Sequence, residues 1–232
     1  MKYDNTQKGV FLKRPNRFIA EVNIDGNVET VHVKNTGRCK ELLIPGCEVY
    51  LTAPGGDKRK TKYDLVAVRK STGVLFNIDS QAPNKVVKEW LNKGSFSKRI
   101  TDWIGYKSFS KVVPEYKYGD SRIDFYMENE KGKKFLMEVK GCTLERDGVG
   151  YFPDAPTERG VKHIRELIKA KEEGYESALA FVIQMDGVSE VLPNVETHPE
   201  FGVAFEDAKK AGVKIFCLRC HVENDELVIV GD

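Results

Sequence analysis

Three residues are of the types and spacings that hydrolytic chemistry uses: Asp124, in the segment SRIDFYMEN, and Glu138 and Lys140, in KFLMEVK. Two carboxylates held side by side repel when both are ionised, so their proximity asks for a cation or a shared proton. Mg²⁺ meets that need, with Mn²⁺ as the alternative, because it takes a few carboxylate oxygens and completes its shell with waters and substrate phosphate. An ammonium beside such an ion orients, or helps to deprotonate, one of those waters. Cation, positioned water and a positive group near the charge developing on phosphorus are what phosphodiester hydrolysis requires. On its own, Asp followed by Glu-x-Lys is a loose pattern. The solvated face of an ordinary hairpin, with Lys140 paired to a neighbouring acid, satisfies it equally well.

These residues need an element that aims them together. Segments 122–128 and 134–140 read as strands joined by a turn at 129–133, NEKGK. Ile123, Phe125 and Met127 alternate on the first and Phe135, Met137 and Val139 on the second, so each strand is expected to bury one face. Closing the hairpin around Lys131 sets Ile123 opposite Val139, Phe125 opposite Met137 and Met127 opposite Phe135. Asp124 then faces Glu138, with Lys140 two residues further along. Glu115, nine positions before Asp124, is a third acid that completes a metal shell or pairs with Lys117.

The chain has 232 residues, 41% hydrophobic and 31% charged, enough for one large domain or two small ones. No apolar run is long enough to span a bilayer, and the start lacks the apolar centre of a signal peptide, so a cytoplasmic protein is expected. Five cysteines argue against a disulfide framework. Cys217-Leu218-Arg219-Cys220-His221 formally matches a c-type haem attachment pattern, but a strand there would point its two sulfurs to opposite faces. The net charge of +2 is unevenly spread. Residues 1–118 carry 22 Lys and Arg against 12 Asp and Glu, and the rest carries 15 against 23. That division suits a front half that meets a polyanion and a back half that collects acids.

Short strands at 18–24, 28–34, 48–52, 65–69 and 75–78, punctuated by Gly and Pro turns, predict a five-stranded OB-like β-barrel over residues 1–80. Its cations cluster in 13–17, 38–40 and 58–63. Arg17, Arg38, Lys40, Lys60 and Lys62 are the candidates for contacts to a nucleic-acid backbone, with Phe18 and Tyr63 either stacking on bases or serving the core. Residues 81–232 predict an α/β domain with a mixed sheet flanked by helices. A helix over 82–94 leads in, and 107–118 is a strand feeding the hairpin. A Gly-rich loop follows Lys140, and a helix capped by Thr157 ends near Gly174. Beyond it come a strand at 177–184, a helix at 201–211 and a strand at 213–222. Arg159 and His163, four apart on the Thr157-capped helix, share an exposed face suited to gripping a phosphate.

Taken together, NRFIAEV at 16–22, NTGR at 35–38, RKTKYDL at 59–65, Glu115, SRIDF at 121–125, EVK at 138–140 and FPDAPTERGVKH at 152–163 resemble the sugar fermentation stimulation protein family, SfsA. The resemblance covers nearly the whole chain in order. It implies an OB-fold followed by a nuclease-like domain of the PD-(D/E)XK type, here with Ile123-Asp124 in place of Pro-Asp. It further implies DNA binding and a DNA/RNA nuclease activity. Asp124 and Glu138 would hold Mg²⁺, Glu115 would be an accessory carboxylate, Lys140 would orient the attacking water, and Arg159 and His163 would approach the phosphate. The alternative is a non-enzymatic DNA-binding regulator of sugar metabolism genes, since nuclease scaffolds also host inactive binders.

Overall fold

A computed structural model describes residues 1–35, 37–56 and 59–232. The front half forms β1 (Thr6–Asn16), β2 (Ile19–Ile24), β3 (Asn27–Val33), β4 (Glu48–Thr52), β5 (Asp64–Arg69) and β6 (Leu75–Asn77). They lie in the order β3-β2-β1-β4-β5-β6, and β3 returns to pair in parallel with β5. The first five strands therefore close into an OB-like barrel and β6 extends it. The barrel's membership differs from the sequence reading, which counted β6 and missed β1. With three cations, Gly9 and Pro15 in TQKGVFLKRPN, β1 lacks clean alternation. Two register shifts let it bend and pair with both β2 and β4.

The remainder contains α1 (Ala82–Lys93), α2 (Lys98–Ile104), β7 (Phe109–Tyr118), β8 (Ser121–Asn129), β9 (Lys134–Cys142), β10 (Leu144–Arg146), β11 (Val149–Phe152), α3 (Glu158–Glu172), β12 (Glu176–Ile183), β13 (Val191–Pro193), α4 (Pro199–Lys210), β14 (Lys214–Val222) and β15 (Leu227–Gly231). The main sheet runs β15-β14-β12-β9-β8-β7, with β9, β12 and β14 parallel and the other pairs antiparallel. Helices α1 and α2 pack with Phe125, Met127, Phe135 and Met137, whereas α3 and α4 pack with Tyr126, Leu136, Leu179 and Phe181. The hairpin β8–β9 is thus buried on both faces, not on one as its alternation suggested, because helices cover both sides of the sheet. What reads as a Gly-rich loop after Lys140 is instead the end of β9 and a second hairpin, β10–β11, which β13 extends.

Barrel and sheet share a packed seam. Phe76 bridges Met185, the Gln184 side chain donates to Asn77 Oδ1 at 2.8 Å, and both core clusters draw residues from the barrel and from the main sheet. The Met1 amino group also donates to the carbonyl of Leu227 at 2.6 Å.

Candidate active site and nucleic-acid interface

The hairpin closes as its apolar pattern requires, through the pairs Met127–Phe135 and Phe125–Met137. Asn129 organises the turn, its side-chain oxygen accepting from the amides of Lys131 and Lys133 at 3.0 Å. Beyond Phe125 the ladder stops, and the expected Ile123–Val139 pair does not form. Ile123 joins the core under α3 while Val139 joins the core under α1. The two strands part there. An amide that leaves the ladder needs another acceptor, and Val139 N–H donates to Asp124 Oδ2 at 2.8 Å. The other oxygen of Asp124 accepts from Asn84 Nδ2, in the first turn of α1, at 2.7 Å. The carboxylate is fixed at the fork from both sides.

Glu138 is 1% exposed. Its Oε1 accepts from Lys140 Nζ at 2.6 Å and also faces His163 Nδ1 on α3. Its Oε2 is buried with no hydrogen-bond partner among the described residues. Burial by itself would raise this carboxyl, but the His163 hydrogen bond and the Lys140 charge outweigh it and hold Glu138 below the usual range. Asp124 goes the other way. Burial, and then the charge of Glu138, push it up to about 6 despite Val139 N–H, Lys140 and Asn84. Two acids that shift apart in this way stand close enough to repel, with Lys140 acting on both.

The remaining candidates divide into those gathered here and those placed elsewhere. Glu115 sits in β7 between the pairs Pro114–Phe125 and Tyr116–Ile123, across from Asp124, with its backbone in the left-handed region at φ +53°. A non-glycine residue held so stores roughly 1–3 kcal/mol of strain. It is exposed, and no three His, Cys, Asp or Glu side chains among the described residues cluster tightly enough to form a metal site by themselves. Protein carboxylates would therefore supply two donors, Asp124 and Glu138. This fits a hard divalent cation that keeps waters, and the unpartnered Oε2 of Glu138 is the atom such an ion would satisfy. His163 corrects the sequence reading. It is buried, not exposed, because α3 turns it onto the sheet, where it grips Glu138; Arg159 Nε reaches its Nε2 at 3.4 Å from an exposed position.

On the barrel, Arg17, Arg38 and Lys40 line one cavity of about 290 Å³. Arg14 builds it, donating to the carbonyls of Arg17, Asn35, Gly37 and Arg38 at 2.6–2.8 Å. Arg17 lies over the exposed ring of Phe18. Lys60 and Lys62 are exposed on the approach to β5 and do not line this cavity; Lys58 lies outside the described residues. Tyr63 is buried, which rules out stacking on bases. The sequence reading missed two residues, Asn84 and the bracing role of Arg14. Asn84 meets Asp124 across 40 positions, with no local pattern to announce it, whereas Arg14 was visible only as one of several clustered cations.

The sugar fermentation stimulation protein RE domain matches residues 81–226, and the SfsA N-terminal OB domain matches residues 12–78. A sugar fermentation stimulation protein homolog of Clostridium beijerinckii is 53% identical over 99% of this chain and 96% of its own length. One from Desulfitobacterium hafniense is 51% identical over 98% and 94%. Among solved structures, Pyrococcus furiosus SfsA in complex with Ca²⁺ superposes with a TM-score of 0.86 at 29% identity, covering 100% of this chain and 96% of the other.

Proposed function

The chain belongs to the sugar fermentation stimulation protein (SfsA) family, and from that premise we propose that it is a nucleic-acid-binding phosphodiesterase whose catalytic centre is Asp124, Glu138 and Lys140 with one Mg²⁺ or Mn²⁺. The observation that carries this reading is the buried, unpartnered Oε2 of Glu138 beside a second carboxylate at the fork of β8 and β9. The Ca²⁺ complex of the Pyrococcus relative supports a divalent cation in this family. When bound, the ion supplies Lewis-acid stabilisation of phosphoryl oxygens and an acidified water.

The protein's own groups do the positioning. His163 and Lys140 engage one oxygen of Glu138 and leave the other, Oε2, without a partner among the described residues. Asn84 and Val139 N–H fix Asp124. An ammonium has three donors. One of Lys140's is used on Glu138, which leaves others to orient water and offset the charge that grows on the phosphate. Arg159, exposed above His163, is placed to take a phosphate oxygen. The barrel's Arg17, Arg38 and Lys40 supply attraction to the backbone.

The test is cleavage of end-labelled DNA and RNA, single-stranded and duplex, in Mg²⁺, Mn²⁺ or EDTA. Metal-dependent cleavage lost in Asp124→Ala and Lys140→Ala is the expected result. Cleavage that persists in EDTA, or in both variants, would remove the proposal.

A further inference from the structure

Three cavities adjoin in a row from the barrel to the seam between barrel and sheet, each sharing wall residues with the next. The outermost is the cationic one bounded by Arg17, Arg38 and Lys40. It shares Arg17 and Arg38 with a chamber of about 520 Å³, whose other walls include Glu41, Leu144 and Asp154. That chamber shares Gly37, Leu144 and Asp154 with a narrow pocket of about 160 Å³. The inner wall of the pocket contains Pro83 and Gly141, the chain neighbours of Asn84 and Lys140. A side chain at Gly37 would collide with the Asp154 carboxylate, and one at Gly141 would meet Gln184 and stand 2.7 Å from Pro83 Cγ. The missing side chains let Asp154 pack directly on Gly37, and Gln184 and Pro83 on Gly141, so the inner pocket is narrow.

The charges along this path are mixed. Cations line its outer end, while Glu41 and Asp154 face the chamber. Carboxylates repel phosphates, so a polyanion fits only if it turns something else toward them. Unpaired bases do, because the exocyclic amines of adenine, cytosine and guanine donate to carboxylates. In a duplex those pairing edges are already engaged, and a double helix is far too wide for the inner pocket. We propose that this trough seats a single strand of nucleic acid, with its phosphates along Arg17, Arg38 and Lys40 and its base edges toward Glu41 and Asp154. The strand leads to the Asp124–Glu138–Lys140 site. Only the fate of its inner end rests on the phosphodiesterase reading.

The experiment is fluorescence anisotropy in EDTA at fixed salt, with a labelled single-stranded DNA of about twelve nucleotides, within the span of one OB-fold, and the same sequence as duplex. The single strand binds about tenfold more tightly than the duplex. Arg38→Ala weakens it severalfold, Asp154→Asn changes its affinity, and Leu144→Trp, which puts a larger side chain in the wall common to the two inner cavities, weakens it severalfold. Equal or tighter duplex binding, or single-strand affinity indifferent to both Arg38→Ala and Asp154→Asn, overturns the proposal. These two surface variants decide the matter if Leu144→Trp melts early. Because EDTA removes catalysis from this readout, strand binding here together with no cleavage in the Mg²⁺ and Mn²⁺ assay would refute the hydrolytic reading alone.

Discussion

Glu138 and Asp124 stand in one site yet relate oppositely to stability. Asp124 titrates near 6 in the folded protein, above the ordinary value of 3.8. Between those pH values the folded state binds the extra proton, so the contribution of Asp124 to stability is fully present below about 4 and is lost as pH rises through 6. Asp124→Asn should therefore raise the melting temperature at pH 8 without metal, by on the order of 2 kcal/mol in stability, and the gain should vanish at pH 4. Glu138→Gln should do the reverse. It removes the anion facing Lys140 and His163 in a buried place, at a cost of about 1–3 kcal/mol. Paired thermal melts at pH 8 test both; shifts of the same sign would contradict the assigned electrostatics. The two acids and the lysine were legible in the sequence. The exposure of His163 was misread, because helical spacing alone does not tell which neighbour a polar residue on the sheet-facing side will meet.

At the scale of elements, the proposed chemistry depends on where two strands stop pairing. Apolar alternation predicted the β8–β9 register through Phe125–Met137, and there it holds. It could not reveal the fork, which arises where Ile123 and Val139 enter different cores and an amide passes to Asp124. Helix α3 presents the Glu138 clamp, and its N-terminus is capped by Thr157, whose hydroxyl accepts from Gly160 N–H at 3.0 Å. His198 Nδ1 in turn accepts from Thr157 N–H at 3.1 Å, joining the starts of α3 and α4. Thr157→Ala should cost about 1 kcal/mol, the usual worth of an N-cap, while Thr157→Ser retains stability. Urea unfolding of both variants measures this; an unaffected Thr157→Ala would show that the cap does not hold α3. Strand β1 escaped notice because a bent strand shared by two partners satisfies neither one's alternation.

Across the whole molecule, the seam between barrel and sheet carries the account. Its halves were distinguishable by charge and by their change from short strands to mixed helices and strands, but the contacts that join them span long separations. The Met1 amino group donates to the Leu227 carbonyl at 2.6 Å, and Gln184 reaches Asn77 over 107 positions. Shared cores predict one cooperative unfolding transition, seen as coincident far-UV and tryptophan-fluorescence melts, since Trp90 and Trp103 both lie beside the main sheet. Two separated transitions would contradict it. If Arg17, Arg38 and Lys40 each meet a phosphate, strand affinity should fall with salt on a log–log slope of about −2, and Arg38→Ala should flatten it by about 0.7. A slope near zero would remove the backbone contacts.

On the proposed reading, the hairpin's two carboxylates share one divalent cation. Calorimetric titration of Mn²⁺ or Ca²⁺ into the metal-free protein at pH 8 addresses it directly. A single site is expected, weakened as pH falls through 6 and abolished by Glu138→Gln. Heat of binding that survives Glu138→Gln unchanged, or no binding by the unaltered protein, would contradict it.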